Sequence, residues 1–314
     1  MEPPESNVSS PTPSGTIPAV SVETAPIEHP VRVRAGFSLT FEVPYPTPML
    51  FVVQPQQRLN ATGTRQRIID QRTLGAAEGI HTYTDSHGNL VWRTLAQPGT
   101  FTLGHDLIAE VTRHPDPQLP TLRKMPVEEL PDETIAYLLP SRYVDSDLVS
   151  AEAWERFGHI QGGWAQVQAI SDFLYDGCAY GYGSTSSTTA KQALDSKRAV
   201  CRDFAHMGVA FCRAMNIPAR YVCGYMPDID ITPDPVPMDF HAWFEAYLDG
   251  QWRTFDARHN KPRVGRVLIA QGRDASDVAF TTTFGSAKLT HMKVWADETD
   301  SSNTLDIPPN PRIF

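Results

Sequence analysis

"MDFHAWFEAYLDGQWRTFDARHN", residues 238–260, sets two runs of alternating apolar and polar residues on either side of Asp249-Gly250. That dipeptide is a strong two-residue hairpin signal. With this loop Leu248 pairs with Gln251, and the register continues until Trp243 faces Asp256 and His241 faces Arg258. Ala242, Phe244, Ala246 and Leu248 then form one apolar face, while His241, Trp243, Asp256 and Arg258 share the other. Asp256 becomes the diagonal neighbour of His241, with backbones about 7–8 Å apart, a gap these two side chains can span. The hairpin is predicted to build a His–Asp pair. A polar rim residue bonded to a convenient acid is the simpler alternative, and the hairpin alone does not separate the two.

A partner for the pair stands upstream, in "SKRAVCRDFAHMGVAFCRAMNIPARYVCGY", residues 196–225. Val200, Phe204, Met207, Phe211 and Met215 fall near one helical face, and Asn-Ile-Pro supplies a stop, so a helix is predicted over 200–215. Cys201 lies in its first turn, where unpaired backbone N–H groups and the positive dipole end favour a thiolate. Lys197, Arg198 and Arg202 add positive charge. Cys212 and Cys223 sit in apolar contexts and read as inert core residues. The four cysteines, with Cys178, are not spaced as in a zinc knuckle, so a metal-binding protein is poorly supported and no metal is expected. Free thiols are expected rather than disulfides.

Composition narrows the choice of partners. The chain has 314 residues, with 27 Lys+Arg against 36 Asp+Glu and a formal charge of −9, so it offers a phosphate backbone no global attraction. Nucleic acid is disfavoured. No uncharged apolar run approaches the ~20 residues of a spanning helix, and no membrane partner is expected. Residues 1–30 are rich in Pro, Ser, Thr and Glu, without a basic or an apolar region of a secretion signal. They read as a disordered tail, and cytoplasm follows as the expected compartment.

The texture of the chain divides it. Residues 31–115 carry short β-rich runs, with "DSHGN" as a hairpin turn, and suggest a β-sandwich. Residues 116–150 are proline-rich and read as a linker with a connecting helix; 151–298 form a mixed catalytic unit, and 299–314 a C-terminal tail. In the catalytic unit, Trp164, Val167, Ile170, Leu174 and Cys178 follow helical spacing, and Thr188 or Thr189 is placed to cap "AKQALD". "PDIDITPDPVPMDF", residues 227–240, reads as an ordered loop at the cleft edge; Asp228, Asp230, Asp234 and Asp239 read first as a solvated surface, and if the loop borders the cleft their field favours cationic substrates or amine acceptors.

Cys201, His241 and Asp256, in that order, supply the nucleophile, proton shuttle and orienting acid of thiol acyl transfer. The stretches "RAVCRDFAHMGVAFCRAMNIPARYVCGYMP", "DFHAWFEAYLDGQWRTFDARHN" and "LIAQGRDASDVAFTTTFG" resemble the transglutaminase-like proteins of bacteria, over roughly residues 34–298. The resemblance implies an α+β fold: an N-terminal β-sandwich followed by a papain-like transglutaminase core. It implies Cys201 as nucleophile, His241 as general base and acid, and Asp256 as its orienter. The Cys201 backbone N–H becomes an oxyanion donor, with Tyr180 or Tyr182 the candidates for the second. The calcium sites of animal relatives have no recognisable counterpart, and no cofactor is implied. His206 and His259 flank the motifs and read as structural. The implied substrate is a protein or peptide; water as acceptor gives hydrolysis and an amine gives transamidation, and the sequence does not decide between them. A non-catalytic interaction scaffold of the same fold is the alternative, and the complete triad argues against it.

Overall fold

The computed structural model describes residues 27–59, 63–75, 79–181, 183–233 and 235–300. The chain opens with six strands: β1 (Pro30–Val43), β2 (Thr47–Gln54), β3 (Arg67–Gly75), β4 (His81–Thr84), β5 (Leu90–Ala96) and β6 (Gly99–Thr112). In β1 every second residue from Val31 to Val43 is buried, the two-residue period of a strand with one inward face. The predicted turn at Asp85–Asn89 joins β4 to β5, with Gly88 at φ 81° where a side chain would be strained. Two sheets meet across this unit, and Phe51 of β2 lies between Phe41 of β1 and Phe101 of β6.

Short helical turns follow, including α1 (Asp132–Ile135), and then α2 (Ser150–Phe157) and α3 (Gly163–Gly177). Next come β7 (Ala179–Tyr180), α4 (Ala190–Ser196), β8 (Arg198–Ala199) and α5 (Cys201–Ala214). Thr189 caps α4, and Gln192 returns the bond to its backbone. The chain then runs through β9 (Ala219–Tyr225), β10 (His241–Leu248), β11 (Gln251–Phe255) and β12 (Val267–Gly272), and ends with β13 (Thr282–Thr283) and β14 (Lys288–Glu298). The sheet of this second unit has the antiparallel order β11-β10-β9-β12. Its β10–β11 hairpin has the predicted register, Leu248 opposite Gln251 and Phe244 opposite Phe255.

Two boundaries move. The segment ending at 298, assigned by sequence to the catalytic unit, returns instead to the first one: β14 pairs with β1, and β13 with β2. The reason is burial, since Val294, Trp295 and Ala296 are inside and the Trp295 indole N–H donates to Asp106 at 3.1 Å. At the other end the expected tail stops short of residue 30, because Ile27 is buried and the Glu28 and His29 carbonyls accept bonds from Thr112 and Arg113. Residues 1–26 and 301–314 lie outside the described residues.

The units are also tied where β12 ends the sheet of the second unit. The side-chain amide of buried Gln66 donates to the Leu268 carbonyl at 2.8 Å and accepts its N–H at 2.7 Å. Asn89 does the same for Gln271, at 2.8 and 2.9 Å. Each amide stands in for a missing ladder partner on an edge strand. Replacing Gln66 by Ala strands a buried N–H and C=O, and we expect a loss of about 1–3 kcal/mol. Urea denaturation measures this, and an unchanged midpoint would show that water serves the edge equally well.

Candidate active site

Cys201 is the first residue of α5, a half-buried thiol on a helix that is buried from Asp203 to Arg213. The Asp203 carboxylate accepts the Val200 N–H at 3.0 Å, the return half of a capping box, and so fixes the turn that presents the thiol. The helix advances alongside β10. At Gly208 a Cβ would come within 2.5 Å of the Phe244 ring, so glycine there permits the close approach. The first residue of the helix consequently comes up beside the first residue of the strand. The Cys201 thiol lies 4.0 Å from the Phe240 carbonyl, close enough to His241 to act on the charge of its imidazole.

His241 Nε2 bonds Asp256 Oδ2 at 2.8 Å, which leaves Nδ1 for the thiol. Burial alone would drive its proton off, but the charge and hydrogen bond of Asp256, together with Cys201, reverse that and raise the pKa to about 9. Asp256 follows directly on β11, and its Oδ1 accepts the N–H groups of Arg258 and His259 at 3.1 and 3.3 Å. Burial would favour its neutral form, yet the charges of His241 and Arg266 hold the carboxyl well below its usual range.

The hairpin thus joins His241 to Asp256 as its register predicts, with one difference in surroundings. The face that carries His241 is covered rather than a rim, and β10 is buried along its whole length. Arg220 neutralises Glu245 at 2.7 Å, and Arg266 lies over Trp243. Arg266 also donates to Asp256 Oδ2 at 3.1 Å and to Asp116. Sequence reasoning missed both residues: Asp116 sits in a proline-rich linker and Arg266 in an aperiodic stretch, without a local signal.

The two flanking histidines part company. His206 is fully buried between Tyr143 and Tyr221, accepts the Ala275 N–H at 3.1 Å, and is held neutral by burial with a pKa of about 3. His259, read as structural, instead stacks on His241 with ring centres 5.0 Å apart. Its ring nitrogens have no hydrogen-bond partner among the described residues, and burial lowers its pKa to about 4. Donor atoms of His241, Asp256 and His259 lie within 4.8 Å of one another. His241 and Asp256 are bonded to each other and Arg266 brings a cation to the carboxylate, so we assign the cluster no metal.

Tyr180 is exposed, close enough for its hydroxyl to feel the charge of Cys201, with the Arg258 guanidinium 3.6 Å from its ring centre. Tyr182 lies outside the described residues. The acidic loop before β10 is less negative than its sequence suggests. Asp228 pairs with Arg263 at 3.1 Å and Asp230 with Arg113 at 3.2 Å, so the charge of these two carboxylates is in part neutralised. Asp234 lies outside the described residues.

Residues 156–257, which contain Cys201, His241 and Asp256, match the profile of the transglutaminase-like superfamily. The chain superposes on the crystal structure of a candidate cysteine protease from Cytophaga hutchinsonii with a TM-score of 0.77. Identity is 34%, covering 88% of this chain and 93% of that one. An uncharacterized protein of Mycobacterium leprae is 37% identical over 89 residues, 28% of this chain and 32% of that protein. Another from Mycobacterium tuberculosis is 31% identical over 127 residues, 36% and 39% of the respective lengths. The matches therefore span little more than a third of these curated relatives. The chain belongs to the transglutaminase-like superfamily.

Two outcomes follow from this geometry. Limiting iodoacetamide at neutral pH should label Cys201 first, because burial raises the thiols of Cys178 and Cys212 and pushes that of Cys223 up to about 12. Peptide mass spectrometry reads the order, and equal labelling of another cysteine in folded protein would remove the assignment. The second concerns pH. Because the His241 value is raised from 6.5 to about 9 on folding, its contribution to stability is full below pH 6.5 and is lost as pH rises through about 9. Melting temperature should fall across that window more steeply in the wild type than in Asp256→Asn, and parallel curves would contradict it.

Proposed function

We propose that the protein is a thiol-dependent hydrolase of peptide or amide bonds, working through a Cys201 acyl-enzyme. The observation that supports this most is the buried Asp256–His241 pair beside the helix-start thiol. The candidate-protease name of the Cytophaga protein favours hydrolysis over transamidation.

In this reading the Cys201 thiolate attacks the carbonyl carbon and the C=O π pair moves onto oxygen. The Cys201 N–H, which as the first of a helix has no intrahelical acceptor, takes the oxyanion with the Tyr180 hydroxyl as candidate second donor. Protonated His241 gives its Nδ1 proton to the leaving amine, the C–N bond breaks, and a thioester remains. Water then attacks, His241 takes its proton, and Cys201 is released with the acid product. Asp256 keeps Nε2 as the proton-bearing nitrogen throughout. An amine in place of water would give transamidation. We propose a reducing cytoplasm as the setting, since the reactive thiol would be capped by oxidation elsewhere.

Intact-mass analysis of the protein with a peptide library should show an adduct on Cys201 and truncated peptides in solution. Neither is expected from Cys201→Ala. Adding a dansylated alkylamine separates the acceptors: amide product exceeding hydrolysis would reassign the reaction to transamidation, and no adduct or product from folded protein would sink the reading.

A further inference from the structure

The carboxylate of Asp256 is approached from two sides. His241 Nε2 and Arg266 Nη2 bond the same oxygen, Oδ2, at 2.8 and 3.1 Å. Arg266 is itself held in place. Its Nε donates to both oxygens of Asp116 at 3.1 and 3.0 Å, and its guanidinium lies 5.0 Å from the centre of the Trp243 ring. Asp116 is pinned in turn, donating its N–H to the Arg263 carbonyl and accepting the Arg263 N–H, each at 3.0 Å. The guanidinium therefore cannot swing away from Asp256 without breaking its contact with a second, half-buried carboxylate.

Resting on the acyl-enzyme reading, we propose that Arg266, held by Asp116, is a positioning residue that acts through Asp256: it draws on the charge of Oδ2 and so keeps the His241 imidazolium acidic enough to give up its proton. An aspartate facing His241 alone would bring its whole charge to bear on that proton. A general acid whose pKa lies too far above the working pH donates poorly, so a cation sharing the oxygen makes the shuttle usable. The other groups around the imidazole are Cys201 from α5, Asp239 ahead of β10, and Asp256 and His259 after β11. Asp116 and Arg266 both lie outside the residues 156–257 that match the family profile, so in this chain the triad acid is tuned from beyond the matched core.

The test is an NMR titration of His241 in the full chain, selectively labelled with 15N-histidine and checked for folding by thermal melting. Arg266→Met, which keeps an apolar chain over Trp243, should raise the His241 pKa by about one unit. Arg266→Lys retains the charge and should stay near the wild-type value. Asp116→Asn leaves Arg266 undivided to Asp256 and should lower the pKa by a smaller amount. Opposite signs are the signature, because simple loosening of the site would move both variants the same way. An unchanged or lower value in Arg266→Met, or a raised one in Asp116→Asn, overturns the proposal. Should Arg266→Met not fold, the double variant with Asp116→Asn leaves no stranded buried charge. It should still shift upward, since Arg266 is the nearer charge, and no upward shift overturns the proposal equally. The titration needs no turnover. Opposed shifts in a protein that never forms an acyl-enzyme would keep this role and remove the hydrolase reading, and an acyl-enzyme without the shifts would do the reverse.

Discussion

Asp256 is nearly out of reach of solvent, and an ionised carboxylate there is tolerable only because donors surround it: His241 and Arg266 on one oxygen, two backbone N–H groups on the other. Removing a carboxylate from water costs several kcal/mol, and charge-assisted hydrogen bonds of about 1.5–3 kcal/mol each can offset that only as a set. Much of the surrounding structure can be read as the means of assembling this set. The β10–β11 hairpin brings the imidazole, the turn after β11 brings the backbone donors, and the approach to β12 brings the guanidinium.

The thiol enters by a different route. A helix whose start is closed by Asp203 lies tight against β10 at Gly208, and that contact carries Cys201 to the edge where His241 begins. Helix and hairpin together make the core that the superfamily shares. The N-terminal unit adds to it by completing the edge of β12 through Gln66 and Asn89, and the linker adds the Asp116 carboxylate behind Arg266. The C-terminal strand then closes back on β1, so that both ends of the described chain lie in the same sheet.

Charge is distributed accordingly. The acidic residues that make the loop before β10 look like a field for cations are in part consumed by arginines distant in sequence, Asp228 by Arg263 and Asp230 by Arg113. The net charge of −9 describes the whole chain and says little about the surroundings of the thiol, where the Arg258 guanidinium lies against the Tyr180 ring.

What the sequence determined by itself was everything carried by short-range periodicity. Asp249-Gly250 set the hairpin register, the register put His241 beside Asp256, and helical spacing put Cys201 in a first turn, because strand alternation and helix periodicity act over a few residues. His259, Arg266 and Asp116 were decided by tertiary structure alone. Their positions depend on how the turn after β11, an aperiodic coil and a proline-rich linker pack against one another, and an ion pair between residues 150 positions apart leaves no mark on the local pattern of either. The same holds for β14. Only the completed sheet, with Trp295 buried against Asp106, shows that it is a strand on the free edge of β1.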